Sequence, residues 1–197
     1  MKPLFVVVDG IDGSGTTSCS KLLVQKINDI PNQSAVWTKE PSDGTIGRHI
    51  RRVLKGEEAA DEHAMFPMFL ADRHDHLCNR VRPELQQGST VICDRYAYST
   101  WVYQQDNYEK FLIEYLQRCC EVPDLVVVLD CPVEVAMARI GKRDHVERYE
   151  IEEKQRVYRK RYRQLQPLAN EPILVLDSNR NSSEDLAETI YQEMLRL

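Results

Sequence analysis

Five short runs of apolar, largely β-branched residues punctuate this chain: LFVVV at 4–8, SAVWT at 34–38, STVIC at 89–93, DLVVVLD at 124–130 and PILVLD at 172–177. Runs without polar alternation suit strands covered on both faces, and the stretches between them carry helical periodicity. Parallel strands need crossovers, and helices supply them. The sequence therefore predicts an α/β fold, a doubly wound five-stranded parallel sheet flanked by helices. A chain of 197 residues is expected to form a single domain, 1–197, around one substantial core.

In such sheets ligands bind beyond the carboxyl ends of the strands. The segments that follow the five runs are DGIDGSGTT, KEP, DRYAYST, DCPVE and DSNRN. All but the last combine charged groups with turn formers or hydroxyls. That coincidence directs attention to one end of the sheet.

The stretch GIDGSGTTSCS, Gly10 to Ser20, follows the first run. Gly10, Gly13 and Gly15 can turn backbone amides inward, and a helix beginning near Thr17 adds its positive end. Together they make an anion site that needs no side-chain charge. The phosphate-loop pattern G-x-x-x-x-G-K-[ST] lays Gly10, Ile11, Asp12, Gly13, Ser14, Gly15, Thr16, Thr17 and Ser18 around the phosphates of ATP. Thr17 keeps the hydroxyl that binds Mg²⁺ in that pattern, but Thr16 stands where lysine belongs. A glycine turn with no ligand is one alternative. Another is a loop that binds phosphate without catalysing, because cations aimed at a transferring phosphoryl group are worth several kcal/mol. Lys21 lies one turn into the helix, points away and is no replacement.

Five further motifs, EPSDGTIGRHIRRVL, FLADRHDHL, VICDRYAYSTWVYQ, PDLVVVLDCPVEVAMARI and ERYE, closely resemble those of the thymidylate kinase family in order and spacing. The resemblance covers nearly the whole chain. It implies transfer of the ATP γ-phosphoryl group to dTMP, with Mg²⁺ as cofactor. It also implies roles for particular residues. In Asp94-Arg95-Tyr96 the aspartate lies by the metal and phosphates, and Arg95 contacts the acceptor phosphate. Phe69 stacks on thymine while Arg73 meets its carbonyl edge, and positions i and i+4 share one helix face. Ser99, Thr100, Tyr103 and Gln104 match S/T-x-x-Y-Q, whose tyrosine packs on the deoxyribose. Asp12 approaches the acceptor sugar and phosphate. Lys39 stands where the family usually has arginine near the acceptor phosphate, and gives up its bidentate fork. Asp9 and Asp130 are candidates either for holding hydrated Mg²⁺ or for accepting backbone hydrogen bonds, Asp130 being the more structural. Arg180, in DSNRN, is a candidate to stack on adenine.

The segment 138–150, ARIGKRDHVERYE, occupies the place of the family's lid over ATP. Gly13 in the loop matches the branch in which the lid supplies the catalytic basic residue, so Arg143, with Lys142, is expected to cover in part for the absent lysine, Arg139 to meet the phosphates of ATP as the lid closes, and Tyr149 to reach toward the acceptor. Lys154 to Arg163 alternates charge and reads as a solvated helix face.

Composition narrows the partners. A net charge of −5 argues against nucleic-acid binding, and no apolar run approaches the ~20 residues of a membrane span. The opening MKPLFVVVDG is too short for a signal peptide, and the six scattered cysteines read as reduced thiols, so a cytoplasmic protein is expected. The family resemblance adds a homodimer packed through helices around 61–78 and 108–120. A kinase for another pyrimidine deoxynucleotide, or an inactive nucleotide-binding module, stay open beside the main reading.

Overall fold

The computed structural model describes residues 2–142, 148–167 and 170–197, with 105–113, 116 and 117 described by backbone alone. In chain order the elements are β1 (Phe5–Gly10), α1 (Thr16–Asn28), β2 (Ala35–Lys39), α2 (Thr45–Leu54), α3 (Glu62–His76), α4 (Arg82–Gln86), β3 (Thr90–Asp94), α5 (Ala97–Cys119), β4 (Leu125–Asp130), α6 (Val133–Ile140), α7 (Glu152–Arg163), β5 (Ile173–Asp177) and α8 (Ser183–Met194). Each predicted apolar run lies on a strand, and each strand is separated from the next by at least one helix.

All strand pairings are parallel, in the order β2-β3-β1-β4-β5. From β1 the chain moves outward to β2, returns to β3, then crosses β1 to reach β4. The connections after β1 and β3 thus leave in opposite directions, which opens a crevice at the carboxyl ends of these two neighbours.

Side-chain parity splits the core into two layers. Phe5, Val7, Val126 and Val128 face Ile50 of α2, Met65 of α3, Tyr98 of α5 and Tyr158 of α7. Leu4, Val6, Val8, Leu125, Val127 and Leu129 face Cys19, Leu23 and Ile27 of α1 and Leu186 and Ile190 of α8. Each such side chain contributes about 1.5–3 kcal/mol when fully buried. The expectation of strands covered on both faces holds for β1, β3 and β4 but not for the outer two. Val175 of β5 is 51% exposed, and most of β2 is half-buried. These two strands close the sheet and have a neighbour on one side only.

Two glycines fix how loops seat against helices. Gly13 has φ of 79°, and a Cβ there would fall 2.5 Å from the Ala136 carbonyl oxygen of α6. Gly47 lets α2 lie on the turn after β2, since a Cβ would come within 2.1 Å of the Ser42 carbonyl oxygen. Ser42 cannot yield, because its amide and hydroxyl are both held by Asp72, at 2.7 and 2.6 Å. Alanine for glycine in a helix ordinarily gains about 1 kcal/mol, whereas overpacking costs about 1–3 kcal/mol. For Gly47→Ala the clash wins, and Tm in a thermal melt should fall by roughly 2–8 °C; an unchanged or raised Tm would show that the turn gives way.

Candidate functional site

The crevice is a cleft of about 310 Å³. Its walls come from the loop after β1 (Asp12, Gly13, Gly15) and the first turn of α1 (Thr16, Thr17, Ser18), and from Lys39 and Glu40 at the end of β2. The far side is built from Phe69 and Arg73 of α3, Asp94 to Tyr96 after β3, Ser99, Thr100, Tyr103 and Gln104 of α5, and Tyr149 and Glu150. Of the predicted loop residues, Gly10, Ile11 and Ser14 do not line it; Ile11 and Ser14 are buried beneath the turn.

Gly15 has φ of 98°, and α1 starts at Thr16 with no side-chain cap and no acidic residue in its first turn. Its leading amides are therefore left for an anion. Thr17 Oγ1 donates to Asp94 Oδ2 at 2.5 Å, while Asp94 Oδ1 is buried with no partner among the described residues. A hydroxyl beside a carboxylate with one vacant oxygen is a donor set of the oxygen-only kind that hydrated Mg²⁺ takes.

Arg95 occupies the left-handed region, with φ of 72°. This aims its guanidinium back into the loop: Nη1 donates to the Gly10 carbonyl at 2.9 Å, to Ser99 at 3.2 Å and to Tyr103 at 3.4 Å, and Nη2 donates to Asp12 at 2.6 Å. Burial disfavours its charge, yet the acidic groups around it, Asp12 at 2.6 Å and Asp9 at 3.6 Å, hold the guanidinium firmly cationic. Asp12 also accepts from the Tyr103 hydroxyl at 3.0 Å and from Gln155 at 2.9 Å, and its amide donates back to Gln155 at 3.2 Å.

Asp9 requires a correction. Expected among the metal holders, it is fully buried, does not line the cleft, and accepts from the Gly10 amide, Ser99, Tyr162 and the Tyr96 amide. These four donors and the Arg95 guanidinium, 3.6 Å from Oδ1, already answer its charge. Burial lifts its carboxyl above the ordinary value, against the opposing pull of Arg95, Tyr162 and Ser99. Asp130 is structural too, gripped by both ends of the Arg159 fork at 2.6 and 2.9 Å.

Arg73 is 1% exposed. Nε donates to Glu40 at 2.9 Å, and Nη2 donates to Thr100 at 2.8 Å and to the Tyr96 carbonyl at 3.2 Å. Burial works against its charge and Glu40 overcomes it, so the group stays protonated. Nη1 has no partner among the described residues, nor has either amide atom of buried Gln104. Buried polar atoms left open cost free energy, so unmet donors and acceptors around a cleft mark it as built for a polar ligand. Glu40 is itself oriented by His76, whose Nδ1 lies 3.2 Å away and whose Nε2 meets Thr38 Oγ1 at 2.6 Å. Half-buried Phe69 supplies an apolar wall.

Other predicted residues lie apart. Arg139 donates to the carbonyls of Gly13 at 3.2 Å and Ser178 at 2.9 Å, and it braces the loop from outside the cleft. The Arg180 side chain is 84% exposed, 3.6 Å from Asp177. Lys142 is exposed, and Arg143 lies outside the described residues. Tyr149 lines the cleft with its ring edge-on to Tyr103 at 5.7 Å, and its hydroxyl donates to Glu62 at 3.1 Å.

Sequence reasoning missed Gln155, Tyr158 and Tyr162, because the segment around them reads as a solvated charge run. They are the buried residues of α7, and Tyr103 stacks at 4.2 Å on Tyr158. The signal was there in their spacing of three and four residues, which is one helix face.

The thymidylate kinase family model matches residues 8–190. A thymidylate kinase of Leptospira interrogans is 32% identical over 193 residues, covering 96% of this chain and 93% of its own. A probable thymidylate kinase of Pyrococcus horikoshii is 34% identical, with both chains covered in full. Among solved structures, the thymidylate kinase of Candida albicans superposes with a TM-score of 0.81 at 21% identity, over 99% of this chain and 92% of that one.

Two outcomes follow from the buried charges. Glu40→Ala leaves the Arg73 cation buried and unpaired, and should cost about 3–5 kcal/mol in urea unfolding; a loss under about 1 kcal/mol would mean that water reaches Arg73. The second concerns pH. A native state that binds the Asp9 proton more tightly than the unfolded chain, whose carboxyl titrates near 3.8, gains stability that is complete below that pH. The gain disappears as pH rises through the native value. Asp9→Asn should flatten stability against pH just above 3.8; equal slopes in both proteins would show an ordinary carboxyl.

Proposed function

The chain belongs to the thymidylate kinase family, and on that premise we propose that it transfers the γ-phosphoryl group of ATP to dTMP, giving dTDP and ADP. One observation carries the reading. A single cleft holds an uncapped helix start with its Thr17–Asp94 pair, an open Arg73 Nη1 beside Phe69, and Arg95 between them.

An oxygen of the acceptor phosphate attacks the γ-phosphorus. The bond to the β–γ bridging oxygen breaks, and ADP leaves with its electrons. The attacking oxygen is already anionic, so alignment and spread positive charge are what the protein must provide. Loop amides and the start of α1 bind the donor phosphates. Arg95, locked on Asp12 and the Gly10 carbonyl, orients the acceptor phosphate. Phe69 and Arg73 position the base, and the Tyr103 ring fills the space beside the sugar. Mg²⁺, held by Asp94 and Thr17 with water, would neutralise charge on the donor phosphates.

The reading extends to a cytoplasmic homodimer packed through α3 and α5. Ala64, Pro67 and Ala71 form an exposed apolar stripe on α3, and all six cysteines are free thiols. No described helix is long and apolar enough to cross a membrane.

The test is ADP release with Mg²⁺, ATP and a panel of monophosphates. We expect turnover with dTMP and a kcat/KM for dUMP lower by roughly 10- to 200-fold, the worth of one methyl in an apolar pocket. Thr17→Val should lower kcat by at least about 100-fold. Binding of both nucleotides without ADP formation would overturn the reading in favour of an inactive nucleotide-binding module, and preference for dUMP would reassign the acceptor.

A further inference from the structure

The loop lacks its lysine, and the described cations that line the cleft are Lys39, Arg51, Arg73 and Arg95. Three of them are held by close protein partners, and Arg73 and Arg95 are already assigned to the acceptor. Arg73 is bound to Glu40 and Thr100, Arg95 to Asp12 and the Gly10 carbonyl, and Arg51 to the Pro41 carbonyl and, at 2.8 Å, to Asp43. The Lys39 ammonium has, among the described residues, the Trp37 ring at 5.7 Å and one carboxylate, Asp43 at 3.8 Å, whose side chain is 76% exposed and already taken by Arg51. An exposed pair at that distance is worth about 0–1 kcal/mol, too little to hold the ammonium against a phosphate.

Strand parity decides where Lys39 points. Thr38 and Glu40 turn toward α3, where they meet His76 and Arg73. Trp37 and Lys39 turn to the opposite face, toward α1. The Trp37 indole donates to Ser20 Oγ at 3.1 Å, and Ser20 Oγ donates to the Thr16 carbonyl at 2.7 Å. Lys39 Nζ lies over this same ring at 5.7 Å, and Lys21 of α1 lies over it at 4.7 Å. In the sheet Lys39 is registered with Asp94, which accepts from Thr17. Adjacent strands lie ~4.8 Å apart, within the reach of a lysine side chain. The Lys39 side chain therefore leaves the strand on the side of the loop and helix start, with Glu40 and the base pocket on the other.

Resting on the kinase reading, we infer that Lys39 supplies to the phosphates of ATP the cation that Thr16 cannot. Lys39 is then a catalytic residue that serves the donor.

Calorimetric binding of ATP with Mg²⁺ and of dTMP, each alone, tests this on wild type, Lys39→Ala, Thr16→Lys and the double variant, with kcat measured on all four. Lys39→Ala should weaken ATP roughly tenfold, leave dTMP within about twofold, and lower kcat on the order of 100-fold. In the Thr16→Lys background the same change should cost less than about fivefold, the non-additivity of two groups that do one job. Lys21→Ala, which removes the other cation over Trp37, should leave kcat unchanged. Equal losses in both backgrounds, or a loss confined to dTMP affinity, would overturn the inference. A wild-type chain that binds both nucleotides but releases no ADP ends the kinase reading alone, because the ATP affinities still decide the role of Lys39.

Discussion

Asp12 and Arg95 meet at 2.6 Å, and the cleft takes its shape from that contact. One residue comes from the loop after β1, the other from the turn after β3, the two strands between which the sheet reverses direction. Arg95 sits at a positive φ, a conformation that costs a non-glycine residue on the order of 1–3 kcal/mol. The acceptors ranged around its guanidinium offset that cost. Asp12 in turn recruits Tyr103 and Gln155, so α5 and α7 are drawn to the same point. Strain, charge and hydrogen bonding are concentrated where two chain connections diverge.

Helix α7 shows how one segment can serve water and chemistry together. Most of its charged residues face solvent, and Arg156 bridges Glu134 and Glu152 there. Gln155, Tyr158 and Tyr162 face inward and close the cleft from behind. Burial pushes the Tyr162 and Tyr103 hydroxyls well above their ordinary range, so both remain donors to Asp9 and Asp12 at neutral pH. These neutral donors let two carboxylates stay in the interior with a single guanidinium between them.

Much of the architecture was legible in the sequence, because apolar runs without alternation have few other uses. The strands match those runs closely, and Asp94, Arg95 and the glycine loop fall at the strand ends that the parallel topology makes important. The rest was hidden for physical reasons. Glu40 and Arg73 are 33 residues apart, and no local pattern announces a buried pair that the fold alone creates. Asp9 and Asp94 both end apolar runs, but parity and depth separate them: one takes four internal donors, the other keeps an oxygen open. On α7 the inward face was outnumbered by charge, which drowned a regular spacing of three uncharged residues.

The seat of the glycine loop reaches beyond ligand binding. Gly13 rests on the Ala136 carbonyl, and Arg139, one turn later, ties the Gly13 and Ser178 carbonyls together. Loop, α6 and the segment after β5 therefore form one mechanical piece. Transplanting the loop alone into another sheet would leave it without a floor. What can be inherited, swapped between relatives or redesigned as a module is the loop with its supporting helix, and variation at position 13 is confined by a backbone atom more than 120 residues away in the chain.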